Sequence, residues 1–155
     1  MARPSYSVRR LKPDDIAACE RLLAGLPDWF GFEETNRGYI HDLRTLPAYV
    51  AIAPGEVVGF LAIKSHTPAA SEVHVLAVAR DRHREGIGRA LLDVAEGDLT
   101  RAGIRLLHVK TLGPSKLDAG YEKTRAFYSA MGFLPLEELE LWGPDQPCLI
   151  MVKVL

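Results

Sequence analysis

Residues 83–92, His-Arg-Glu-Gly-Ile-Gly-Arg-Ala-Leu-Leu, put two glycines one residue apart at the mouth of an amphipathic helix. A β-branched run, Glu72 to Val78, lies just upstream. Glycine lets a backbone come close to a ligand. The free N–H groups and the dipole of a helix N-terminus favour an anion. The stretch therefore reads as a phosphate cradle. A Walker loop requires Gly-Lys-Ser/Thr after its glycines, and here Gly88 is followed by Arg89 and Ala90. A dinucleotide fingerprint requires a third glycine or alanine, directly after the strand. That slot holds Leu91, and Ala79 to Glu85 intervene. The plain alternative is a glycine-rich helix start that holds no ligand.

The second chemical feature is the pair Glu72 and His74. Two residues apart on a strand, they share a face, with Val73, Val75 and Ala77 expected on the other. Two ionisable groups on one face of an otherwise apolar strand suit proton transfer. Histidine is the side chain whose ordinary titration lies nearest neutrality, and Glu72 can act through a water. The competing reading is a hydrogen-bonded core histidine beside a solvated strand-end glutamate.

The elements that must hold these residues follow from pattern and punctuation. Tyr6 to Leu11 reads as a strand. Pro13-Asp14-Asp15 opens a helix running to about Leu23, with proline and acids in its first turn. Leu26 to Phe32 is an aromatic-rich loop and Glu33 to Leu43 a second helix. Ala48 to Ala53 and Glu56 to Ser65 are strands joined at Pro54-Gly55. Glu72 to Val78 is a fourth strand. Ile87 to Ala102 is a helix with apolar residues at Ile87, Ala90, Leu91, Val94, Ala95 and Leu99, closed by Gly103. Arg105 to Thr111 is a strand, Leu112 to Gly120 a loop, and Tyr121 to Ala130 a helix with Thr124, Phe127, Tyr128 and Met131 on one face. Phe133 to Leu141 and Leu149 to Val154 are the last strands. Hairpins and crossovers together require a mixed sheet with helices on it, an α/β architecture.

Composition narrows the function. The chain has 155 residues, 48% hydrophobic and 25% charged, with a formal net charge of −1. That balance suits one globular domain over residues 1–155 and gives no basic field for nucleic acid. No apolar run reaches membrane-spanning length, and Met1-Ala2-Arg3-Pro4 lacks a signal-peptide core. Cys19 and Cys148 form neither a CxxC pair nor a metal-ligand spacing. Each reads as a small buried hydrophobe. The expectation is a cytoplasmic protein with no metal, no nucleic-acid partner and no membrane partner.

His83-x-x-Gly86-x-Gly88, after a strand and a short loop, resembles the pyrophosphate loop of the GNAT superfamily, the acyl-CoA-dependent N-acyltransferases, with histidine in the usual Arg/Gln slot. The segment Thr124-Arg125-Ala126-Phe127-Tyr128-Ser129-Ala130-Met131-Gly132-Phe133 is similar to that family's A-x-Y-x-x-x-G-F signature. The element order matches as well, so the resemblance covers nearly the whole chain. It implies a central mixed, mostly antiparallel sheet of about seven strands flanked by about four helices. It implies acetyl-CoA as co-substrate and direct transfer of its acetyl group to a primary amine on a small molecule or peptide. It places the amides of Arg84, Glu85, Gly86, Ile87, Gly88 and Arg89 on the pyrophosphate, with Arg84 and Arg89 adding charge. It places the backbone of Leu76, Ala77 and Val78 beside the acyl arm, one N–H facing the thioester oxygen. Tyr128 becomes the acid for the departing thiolate, touching the cofactor together with Thr124 and Tyr121. Trp29, Phe30, Phe32 and Tyr39, with Asp28, Glu33, Glu34 and Asp42, border the amine site. A binding module that keeps the fold and has lost the chemistry is the rival reading, and a homodimer is left open.

Overall fold

The computed structural model describes residues 5–155; the N-terminal tetrapeptide read above for a signal sequence lies outside them. The element order is β1 (Ser7–Arg10), a 3-10 turn (Pro13–Asp15), α1 (Ile16–Ala24), α2 (Glu33–Asp42), β2 (Ala48–Ala53), β3 (Glu56–Ser65), β4 (Ala70–Val78), a second 3-10 turn (Arg80–Arg82), α3 (Ile87–Arg101), β5 (Leu106–Leu112), α4 (Ala119–Ala130), β6 (Leu134–Leu139) and β7 (Cys148–Val154). The strands form one seven-stranded sheet in the order β1-β2-β3-β4-β5-β7-β6. Only β4 and β5 run parallel, as the α3 crossover between them demands. The expected mixed, mostly antiparallel sheet with four helices is the fold observed. No helix among the described residues is long and apolar enough to cross a membrane.

Two apolar layers flank the sheet. On one side α3 and α4 cover Leu61, Ile63, Val73, Leu107, Val109 and Met151. On the other α1, the loop after it and the end of α2 cover Val50, Phe60, Ala62, Val75 and Ala77. Cys19 is fully buried in this second layer, and burial pushes its thiol up to about 12. That is the packing role expected of it. The buried stripe of α3 is Ile87, Leu91, Leu92 and Ala95, whereas Val94 is exposed. The helix is thus rotated by part of a turn from the face expected at Val94.

Gly59 on β3 sets how close α3 lies to the sheet. A Cβ there would sit 3.0 Å from Ile87 Cγ2 and 3.2 Å from the Ala77 carbonyl. Gly59→Val should therefore lower stability by about 1–3 kcal/mol through overpacking, read as a shifted midpoint in urea. An unchanged midpoint would mean that α3 tolerates displacement from the strand.

Candidate active site

The parallel pairing of β4 with β5 runs only from Ala70 and Leu106 to Val73 and Val109. Beyond it β4 follows β3 as far as Val78, and β5 follows β7 as far as Leu112. The two central strands part and leave a wedge. Ala79 N–H donates to the Val58 carbonyl at 2.8 Å. Alternation in the antiparallel ladder then turns the N–H and C=O of Ala77 toward Phe60 of β3, and those of Leu76 and Val78 toward the wedge. The Val78 carbonyl accepts from His83 Nε2 at 2.8 Å, which assigns the ring hydrogen to that nitrogen. Leu76 is left with backbone groups facing the gap. The side chain of Ala77 is buried in the second layer, and its backbone is committed to β3.

β4 carries a bulge at His74. Val75 pairs with Ala62 and Val73 with Ile63, so no residue of β3 opposes His74. The expectation that Val73, Val75 and Ala77 share one face is corrected here. Val73 packs in the α3 layer and Val75 and Ala77 in the α1 layer, because the extra residue shifts the alternation by one. His74 itself turns to α2. Its Nε2 lies 2.9 Å from Asp42 Oδ2, and its ring meets the edge of Tyr39 at 5.2 Å. A carboxylate only accepts, so Nε2 carries a hydrogen and Nδ1 is the ring nitrogen left without a protein partner among the described residues.

Glu72 lies on the same side of the sheet, 6% exposed. Its Oε1 is 2.7 Å from His66 Nε2, and its Oε2 is 3.5 Å from Lys110 Nζ. His108 stands opposite Glu72 in the β4–β5 register. Burial lowers the pKa of His108, which keeps it neutral near pH 7. Sequence reasoning missed His66, His108 and Lys110 as companions of Glu72, and missed Asp42 as the partner of His74. Only the register of three strands brings the first group together.

At the start of α3 the backbone turns left-handed twice, at Arg84 (φ 69°) and at Gly86 (φ 83°). A non-glycine residue in that region is strained, and such strain collects at ligand sites. Among the described residues, the amides of Arg84 through Arg89 donate to no protein group. Successive free N–H groups at a helix N-terminus form an anion-binding concavity, so the chain fits a pyrophosphate there. Gly88 meets a packing demand as well: a Cβ would lie 3.0 Å from Phe127 Cζ on α4.

Tyr128 on α4 is 5% exposed, its ring between those of Phe127 and Phe133. Burial drives its phenol well above the ordinary value, and the neighbouring Tyr39 and Tyr121 push the same way. Three phenols from α2 and α4 are thus close enough to bias one another. Tyr121 donates its hydroxyl to the Trp29 carbonyl at 2.7 Å. Trp29 meets His83 edge-on at 5.6 Å and carries the Arg80 guanidinium over its ring. The loop between α1 and α2 is thereby tied to both α4 and the glycine turn. The Thr124 hydroxyl donates back to the Gly120 carbonyl of its own helix at 3.2 Å. Phe32 is exposed.

Residues 45–135 match a family described as an acetyltransferase (GNAT) domain. An uncharacterized N-acetyltransferase of Chlorobaculum tepidum is 27% identical over 132 residues, 84% of this chain and 77% of that protein. Among solved structures, a chain assigned to the GNAT family of acetyltransferases from Desulfovibrio desulfuricans has a TM-score of 0.83 at 22% identity, covering 96% of this chain and 98% of its own. The ribosomal-protein-S18-alanine N-acetyltransferase of Escherichia coli has a TM-score of 0.78 at 18% identity, covering 96% and 93%. An aminoglycoside 6'-N-acetyltransferase complexed with coenzyme A has a TM-score of 0.78 at 18% identity, covering 96% of each. The parted β4 and β5, the glycine turn opening α3 and the match over residues 45–135 agree, and the chain belongs to the GNAT family of acetyltransferases.

Proposed function

We propose that this enzyme transfers the acetyl group of acetyl-CoA to a primary amine by direct attack within a ternary complex. Acetyl-CoA supplies the activated acyl group, as it does throughout the family. The amides of Arg84, Glu85, Gly86, Ile87, Gly88 and Arg89 hold the pyrophosphate, with Arg84 and Arg89 adding charge. The Leu76 N–H stabilises the thioester oxygen as it gains charge, and Val78 borders the arm. His74, held by Asp42 through Nε2, takes the amine proton on Nδ1, the positioned-base arrangement seen in catalytic triads. Glu72 acting through a water is the second candidate, but its Oε1 is already taken up by His66 and its Oε2 faces the Lys110 ammonium. Tyr128 returns a proton to the departing sulfur. Neither cysteine serves as a nucleophile, since both are fully buried.

The observation that carries this reading is the convergence at the wedge. The free amides and the Leu76 backbone approach it from one side, and the His74–Asp42 pair stands on the other. Aromatic rings with carboxylates on that second side suit a cationic amine, small or at a peptide terminus. The rival reading, an acyl-CoA sensor, retains the cradle and needs no base. Calorimetry with acetyl-CoA, combined with release of free CoA over a panel of polyamines, aminoglycosides, aromatic amines and peptide N-termini, separates the two. Binding with amine-dependent CoA release is expected. Binding with no release for any amine would favour the sensor.

A further inference from the structure

We propose that His66, Glu72 and His108 form a binding site for a divalent transition metal of borderline character, Zn2+ being the representative. The three residues come from separate segments: the turn after β3, β4, and β5. Glu72 and His108 are direct neighbours across the parallel ladder. One ring nitrogen from each histidine and one carboxylate oxygen all lie within 4.8 Å of one another. The His66 and His108 rings are 5.2 Å apart and tilted by 39°.

Two details distinguish this trio from a surface cluster of polar groups. His108 Nδ1 is buried and has no hydrogen-bond partner among the described residues. A buried polar atom without a partner is costly, and a bound cation would repay that cost. The carboxylate is also divided: Oε1 faces His66 at 2.7 Å, while Oε2 faces Lys110 at 3.5 Å. One oxygen is thus presented to the histidines while the other is anchored by an outer cation, the outer-shell arrangement that orients metal ligands.

Two imidazoles and one carboxylate are an N/O donor set that suits zinc and its neighbours and is poorly suited to calcium or magnesium, which take oxygen. Metal–ligand distances of about 2.0–2.1 Å require the donor atoms to draw closer than their present separations. His66, whose side chain is 34% exposed, has room to swing inward. Three protein ligands leave a fourth position for water or an acceptor group. A metal here would clip the β3–β4 hairpin to β5 just where the two central strands begin to part. The site does not depend on the acetyl-transfer reading, and its test needs no acetyl-CoA.

Full-length protein stripped with EDTA and then titrated calorimetrically with Zn2+ should take up one equivalent at micromolar or tighter affinity. Co2+ in its place should give visible d–d absorption of a low-coordinate N/O site. His66→Ala and His108→Ala should each weaken Zn2+ binding by at least about tenfold. His41→Ala, an exposed histidine elsewhere, should leave it unchanged. Circular dichroism checks that each variant is folded, and the exposed His66 variant suffices should the half-buried His108 variant misfold. Absence of saturable binding by folded protein, or stoichiometric binding undiminished in His66→Ala, would overturn the assignment.

Discussion

His74→Ala lowers turnover by about 10²- to 10⁴-fold, the range of a positioned base, with acetyl-CoA affinity essentially unchanged. The imidazole is 2.9 Å from Asp42, on the side of the sheet away from the glycine turn of α3, so its loss leaves the cradle intact. Asp42→Asn keeps the imidazole but removes the acceptor that fixes its tautomer, and should cost less than His74→Ala. The deficit of both variants should shrink as pH rises, because more of the acceptor amine is then already neutral. Steady-state kinetics at saturating acetyl-CoA across the alkaline range provide the measurement. Turnover of His74→Ala close to the parent at neutral pH would shift the base to Glu72, or to Glu33 or Glu34 on α2.

Tyr128→Phe deletes one hydroxyl and keeps the ring between Phe127 and Phe133. Turnover should fall by about 10- to 10²-fold, near the low end for general acids, since a thiolate leaves readily. Affinity for acetyl-CoA should change little. The direction of the pKa shift keeps the hydroxyl protonated while making it a weaker donor than a free phenol, which is a further reason to expect a small effect. Burial raises the phenol well above its ordinary value, so the hydroxyl keeps its proton at any pH at which the enzyme would be assayed. The parent should accordingly show no alkaline decline in turnover attributable to this group. A variant that loses thermal stability while retaining full turnover per folded molecule would make Tyr128 a packing residue only.

Much of this architecture was legible because it is local. The hairpin at Pro54-Gly55, the glycine that ends α3 and the A-x-Y-x-x-x-G-F segment each announce themselves within ten residues, and the elements formed where they were expected to within a few positions. Boundaries moved for local reasons too. α4 begins at Ala119 rather than Tyr121 because Asp118 caps it, its side chain accepting from the Tyr121 N–H at 3.0 Å. The proline-led first turn before α1 settled as 3-10 rather than α. What could not be read was register. A bulge leaves no mark in an alternating sequence, so Val75 and Ala77 were expected on the wrong side of the sheet. His66 and His108 lie 42 positions apart in the chain and meet only through β4. The partnership of His74 with Asp42 likewise depends on where α2 ends over the sheet.

The bulge in β4 has an implication for how this protein can change. Omit His74, and Val73 opposite Ile63 and Val75 opposite Ala62 fall into unbroken alternation, each still in the apolar layer it now occupies. The pairing of the core strands is therefore independent of the residue proposed as the base. His74 behaves as an insertion written into a strand that was already complete. Folding and the proposed proton transfer are then separable at this position: the side chain at 74 can be exchanged without disturbing the two apolar layers on either side of it.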